Sequence, residues 1–279
     1  MRFVAPARER VDPLVFSRPP LSQWSEFTPL LQDTAWPDVA SLNACAANAQ
    51  NVANGKMPQF VAQTPELLRD NLHYEVRIAQ CGQIATRERN WHDLLNALIW
   101  LRYPGLKAAL NARQTAEIAR MGTKQRSRAQ CALTHFDEAG VVVMLRDPAL
   151  LAVWDAHDWH GLFWRERSAW HDGRIAIVVF GHALLEHALE PHQLLVGKAL
   201  VVVPQSGNGN NAAIDAVAAA IERGALLNDP QELRPLPLSG IPGWRAEGES
   251  ESFYREAPCF CAVRAGRRYP PAFSPVGPS

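Results

Sequence analysis

Two short runs do most to limit what this chain can fold into. RIAIVVF (174–180) and KALVVV (198–203) are almost unbroken in β-branched and apolar residues. A strand without polar alternation has to be buried. Each run is followed by a break and then a helical pattern. Gly181 precedes HALLEHALE, and SGNGNN precedes AAIDAVAAAIERG (212–224), which closes on Gly224. Strand and helix therefore alternate through the second half. The expected fold class is α/β (or α+β), with a mixed sheet of about five strands packed by helices and a helical N-terminal part.

The chain has 279 residues, 47% of them hydrophobic, enough for a sizeable core. No linker, repeat or shift in composition divides it. One globular domain is expected over 21–268. A Pro- and Arg-rich extended arm (1–20) precedes it, and YPPAFSPVGPS (269–279) follows as a disordered tail. Residues 22–33 and 37–50 read as helices. HYEVRIAQ (73–80) alternates Tyr74, Val76 and Ile78, which suggests a strand. Asn90 is a good N-cap with Asp93 at the third helical position, opening a helix to about Tyr103. Pro104 starts the next helix, to about Arg120. CALTHF, DEAG and VVVML read as a β-hairpin with Gly140 in its turn. Asp147-Pro148 starts a helix through ALLAVWDAH.

The formal net charge is zero, which argues against a nucleic-acid or anionic-membrane binder. The N-terminus has charges where an export signal needs an apolar core, and no apolar stretch approaches ~18 residues. Five scattered cysteines fit reduced thiols, so a cytoplasmic protein is expected. Cys259-x-Cys261 is half a zinc site and reads better as small apolar residues on a terminal strand. Trp154, Trp159, Trp164 and Trp170 read as core and rim anchors before ligand-stacking groups.

Polar chemistry concentrates in NWHD (90–93), THFDE (134–138) and FGHALLE (180–186). His92 and Asn96 share a helix face. Asp93 has a sufficient role as a cap, and Arg87 just upstream suits an anionic substrate group. His135, Asp137 and Glu138 crowd the expected hairpin tip, with His135 and Asp137 on one face if the strand continues. His182 follows a strand and a glycine, where ligand groups of α/β sheets collect. Glu186 lies one helical turn further on. This spacing suits either a metal or a His–Glu hydrogen bond. His187 and His192 point elsewhere.

Other patterns are weaker. His135-x-Asp137 with His182 matches a two-His-one-carboxylate iron triad, but on the wrong architecture. Gly207-x-Gly209-x-x-Ala212 formally fits a dinucleotide loop and reads better as a flexible turn. The basic residues Lys107, Arg113, Arg120, Lys124, Arg126 and Arg128 read as a solvated face before a phosphate-binding one. No nucleophile elbow, Walker loop or H-E-x-x-H is present.

Over about residues 70 to 265 the chain resembles a bacterial family, domain-of-unknown-function family 3025. The resemblance rests on YEVRIAQCGQIATRERNWHDLLNALIWLRYP, ALTHFDEAGVVV, AHDWHGLFW, FGHALLEHAL, LPLSGIPGW and FYREAP. It implies a bacterial protein of that type and no particular reaction. It also implies Lys and Tyr where His187 and His192 stand, which leaves those two outside a site.

Two readings stay open. In the first, the chain is a metal-assisted hydrolase of phosphoester or amide bonds with a small-molecule substrate. A divalent ion would be held by His92, His135, Asp137, His182 and Glu186. His92, Asp93, His135, Glu138 and His182 would do the catalysis, with Glu138 or Asp93 as base and Arg87 and Asn96 binding substrate. In the second, a non-enzymatic binding or scaffold protein, the same groups form a structural polar network. Convergence of the histidines decides between them.

Overall fold

A computed structural model describes residues 3–48, 57–122, 125–204 and 209–275. The elements in chain order are α1 (Thr28–Gln32), α2 (Val39–Asn48), β1 (Gln59–Ala62), α3 (Tyr74–Cys81), β2 (Gln83–Thr86), α4 (Trp91–Arg102), α5 (Pro104–Met121) and α6 (Arg128–Ala139). There follow β3 (Gly140–Leu145), α7 (Leu150–Asp155), α8 (Arg167–His171), β4 (Ile175–Val179), α9 (His182–His187), β5 (Val196–Val202), α10 (Asn210–Glu222), β6 (Arg234–Pro237) and α11 (Phe253–Glu256).

The fold is the α/β arrangement expected, with its strands divided between two sheets. A four-stranded mixed sheet has the order β4-β3-β5-β6, and β1 pairs with β2 in a separate parallel pair. β3 runs antiparallel to β4 and parallel to β5, and β6 closes the far edge antiparallel to β5. Every residue of β3 is buried, as its unbroken VVVML run requires. α10 and the expected helices after Asn90, Pro104 and Gly181 all form. Among the described residues no helix is long and apolar enough to cross a membrane.

Two expected elements change type. HYEVRIAQ is helix α3, not a strand. His73 accepts from the Glu75 N–H as its N-cap, and Gly82 ends it in the left-handed conformation (φ 64°). Its interior side buries Ile78 and Arg77, and Arg77 pairs with Asp70. The expected hairpin is helix α6 running straight into β3. Ser127 and Gln130 form a reciprocal capping box, and Ala129, Ala132, Leu133 and Phe136 make a buried stripe at helical spacing.

The N-terminal arm is not simply extended on the surface. It winds through 3-10 turns at Arg8–Arg10 and Pro13–Ser17 and buries Val15 and Phe16. The Arg8 guanidinium lies 4.7 and 4.9 Å from the ring centres of Trp36 and Trp91, and it donates to the carbonyls of Leu30 and Asp33. Phe3 stacks on His187 at 4.0 Å. The segment expected as a disordered tail also finds partners. Phe273 pairs through its backbone with Val201 and Val203 of the sheet region, while residues 276–279 lie outside the described residues.

The tryptophans are anchors. The indoles of Trp154, Trp159 and Trp170 donate to the carbonyls of Pro235, Cys261 and Leu162. Cys259 and Cys261 lie in an irregular segment after α11, not on a strand.

One close approach sets the site. After β4 the chain turns at Gly181, and the N–H groups of Phe180 and Gly181 both donate to the Gly140 carbonyl (2.9 and 2.8 Å). A Cβ on Gly181 would lie 2.4 Å from the Ala139 Cα and 2.5 Å from the Gly140 nitrogen. Both obstacles are backbone, so they cannot rotate away. Gly181→Ala is therefore expected to cost about 1–3 kcal/mol, the usual penalty of overpacking. Urea denaturation against the unaltered chain checks this. An unchanged midpoint would mean that the α6–β3 junction retreats freely.

Candidate metal centre

Three elements meet at the Gly140–Gly181 contact: the start of α4, the end of α6 and the start of α9. Asn90 caps α4 by accepting from the Asp93 N–H at 3.0 Å. This cap fixes the first turn and places His92 on the side facing α9. His182 is the first residue of α9 and is 4% exposed. The two imidazoles meet edge to face, with Nε2 of His92 3.0 Å from Nε2 of His182. A Glu138 carboxylate oxygen lies 3.5 Å from the His182 Nε2. His92, Glu138 and His182 each offer one ligand atom, and these atoms all lie within 4.8 Å of one another.

The far nitrogen of each ring faces a carboxylate. His92 Nδ1 is hydrogen-bonded to Glu186 at 3.0 Å. His182 Nδ1 faces Asp137, whose carboxylate is 3.9 Å away, and makes no well-formed hydrogen bond. Asp137 in turn accepts from the buried ammonium of Lys107 at 2.6 Å. Lys107 also donates to Asn96 at 2.8 Å, and the Asn96 amide donates to the Tyr74 hydroxyl at 2.9 Å. Tyr74, Asn96 and Asp137 of this ladder line a cavity of about 530 Å³ together with the imidazoles and Glu138.

Charge is distributed unevenly. Burial pushes the His182 imidazole down to about 3, so it is neutral. Burial acts on His92 in the same sense. The hydrogen bond to Glu186 and the charges of Glu138, Glu186 and Asp93 outweigh it, and its pKa is raised. Burial raises the Glu138 carboxyl. Asp137 is also buried, yet the charge and hydrogen bond of Lys107, with His92 nearby, hold it below the usual carboxylate range. Glu75, a further cavity residue, is raised by burial and by Asp137.

Of the residues expected in a site, His92, His182 and Glu138 converge, and Asp137 and Glu186 stand behind the rings. Asn96 belongs to the ladder. Asp93 lines the cavity, but its carboxylate is taken up by the backbone N–H and guanidinium of Arg87, both at 2.6 Å. Arg87 is thus neutralised within the chain. His135 is outside the cluster. In a helix Thr134, Asp137 and Glu138 share a face, and His135 projects away from it, exposed. The same-face expectation for His135 and Asp137 belonged to a strand that does not form.

The basic run was misplaced at one position. Lys107 is 4% exposed, and Asn111 and Gln114 on the same stripe of α5 are also buried. Their spacing marks a polar helix face, and periodicity alone does not say whether such a face meets water or a polar cavity. Arg113, Arg120 and Arg128 form ion pairs with Glu117 and Asp229, and Lys124 lies outside the described residues. Gly207 does too. Tyr74 and Glu75 were not anticipated as cavity residues, because each depends on where α3 packs, and Arg126 of the basic run also lines the cavity.

No curated protein and no solved structure matches the chain significantly. The model of a family described as "Protein of unknown function (DUF3025)" matches residues 58–264, a span that contains His92, Glu138, His182 and both carboxylates behind the imidazoles. With most of its length matched, the chain belongs to the DUF3025 family.

Proposed function

We propose that this protein is a metal-dependent hydrolase centred on His92, Glu138 and His182. One observation carries the reading: two imidazole Nε2 atoms and a carboxylate face a single point, while each imidazole's Nδ1 faces a carboxylate. Metal-bound histidines usually present their second nitrogen to such a partner, which fixes the tautomer and raises ligand basicity.

Proton bookkeeping supports a cation at that point. The Glu186 hydrogen bond places a proton on the His92 Nδ1. If His92 is neutral, its Nε2 is a lone pair. His182 then either donates from Nε2, leaving a lone pair against the Asp137 carboxylate, or keeps its proton at Nδ1, leaving two lone pairs 3.0 Å apart. The second arrangement is repulsive, and the first makes a ring–ring hydrogen bond but sets the Nδ1 lone pair against a carboxylate 3.9 Å away. A positive charge between the rings relieves them, and either a proton or a metal ion supplies it. With metal–nitrogen bonds of ~2.1 Å, a 3.0 Å separation corresponds to an angle of about 90° at the ion, and opening it to ~3.4 Å gives a tetrahedral angle.

Three protein ligands leave positions open toward the cavity, the pattern of catalytic and not structural sites. A divalent ion there would polarise a substrate oxygen and make water nucleophilic near neutral pH. Glu186 orients the His92 ring through a hydrogen bond, and Asp137, kept ionised by Lys107, faces the His182 Nδ1 as a negative charge 3.9 Å away. Water is the favoured nucleophile because the cavity offers no activated side chain in its place. The Thr134 hydroxyl is held between Gln114 and Arg126, the Tyr74 hydroxyl is held by Asn96, and no cysteine lines the cavity among the described residues.

Metal analysis tests the reading. After loading with Zn²⁺ or Mn²⁺ and gel filtration, about one ion per chain is expected, with loss in His92→Ala, His182→Ala and Glu138→Gln but not in His135→Ala. If the chain retains no metal and its thermal stability is indifferent to both ions, the metal-free polar network is correct instead. Glu186→Gln keeps a neutral partner for the His92 Nδ1 but removes the charge. It is expected to weaken metal affinity roughly 10–100-fold, read by competition with a chromophoric chelator.

A further inference from the structure

Two guanidinium groups line the cavity, and they differ in their partners. Arg87 is bound to Asp93. Arg126 pairs with no carboxylate among the described residues, and its Nη2 donates to the Thr134 hydroxyl oxygen at 2.6 Å. Thr134 also accepts from the Gln114 amide at 3.1 Å, which leaves the hydroxyl proton free to turn toward a ligand. His73 lines the same cavity. Its Nδ1 accepts from the Glu75 N–H, so the neutral ring carries its proton on Nε2. Burial, and after it the charge of Arg126, holds the His73 imidazole below its ordinary range.

The two ends of the cavity therefore have opposite character. Asp93, Asp137, Glu138 and Glu186 surround the histidine cluster and Glu75 is held by Asn111, while Arg126, Thr134 and His73 present donors that pair with no carboxylate among the described residues. The two ends are linked by α6. Thr134 lies four residues before Glu138, a rise of about 6 Å along one helix face.

We infer that Arg126, with Thr134 beside it, anchors an oxyanion of the substrate, a carboxylate or phosphate group, about one helical turn from the bond that is cleaved. This rests on the hydrolase reading for the word substrate, but the anion site stands on its own geometry. It also replaces Arg87 in the role expected from the sequence. A guanidinium tethered at one corner still has donors to give, and charge-assisted contacts are the stronger ones. The substrate class is then a small anion carrying its charge away from the hydrolysable ester or amide, because a charge next to that bond would meet the acidic end.

The experiment uses the full chain stripped of metal with a chelator, so that the two proposals fail separately. Inorganic phosphate and, in a second arm, acetate are titrated in and followed by calorimetry. Saturable millimolar binding of at least one is expected. Arg126→Gln should weaken it roughly tenfold or more, and Arg126→Lys less, while Arg87→Gln stays within about threefold. Far-UV circular dichroism confirms that the variants are folded, as an exposed Arg126 side chain allows. Preference for phosphate or for acetate identifies the anion. Absence of saturable binding in the unaltered chain, or equal affinity in Arg126→Gln, overturns the inference. Loss of binding in Arg126→Gln, in a chain that retains neither Zn²⁺ nor Mn²⁺ after loading, upholds the anion site and removes the hydrolase.

Discussion

Two N–H groups on one carbonyl organise this molecule. Phe180 and Gly181 both donate to the Gly140 oxygen, and the backbones come so close that no side chain fits between them. This contact joins the end of α6 to the start of α9 with no flexible linker on either side. Asp137 and Glu138 lie just before it on one strand of the crossing, and His182 just after it on the other. Side chains attached so near a rigid crossing have few rotamers that avoid each other, which is how a precise cluster arises without loops. The central sheet provides the rigidity. β3 and β4 leave the contact antiparallel, and β5 covers the other edge of β3.

Much of this was legible in the sequence where local physics is decisive. Asn90 and Asp93 announced the start of α4, Pro104 that of α5, and the β-branched runs gave β4 and β5. His92, His135 and His182 all stood out as histidines with weaker structural roles than the acids beside them, and His135 is the one that falls outside the cluster. α3 and α6 were misread for different reasons. In α3 the apolar alternation was real but too short to exclude a helix, and the buried Arg77 gave no apolar signal. In α6 the S-x-x-Q capping box at Ser127 was present and should have outweighed the β-branched run beyond it. The error had a chemical consequence. A two-residue period puts His135 beside Asp137, whereas a helical one replaces His135 by Thr134 and Glu138.

The polar ladder illustrates a limit of a different kind. Lys107 stands on an α5 stripe that any reading of periodicity assigns to the surface. The stripe is buried instead: the Lys107 ammonium bonds directly to Asn96 and Asp137 and lies 5.5 Å from the centre of the Trp100 ring, and Asn111 holds Glu75. A buried charge is tolerable only when paired and hydrogen-bonded, and here both conditions are met by residues from α3, α4 and α6. Only the packing of four helices reveals that.

The cluster also draws its members from distant parts of the chain, and the N-terminal arm grips two of the helices that carry them, through Trp91 and His187. Bringing such segments together costs loop entropy before any contact repays it. The cluster is thus a product of the tertiary topology and belongs to no single fragment, so the spectroscopic state of His92 and His182 would serve as an internal gauge of whether the whole chain has reached its native arrangement.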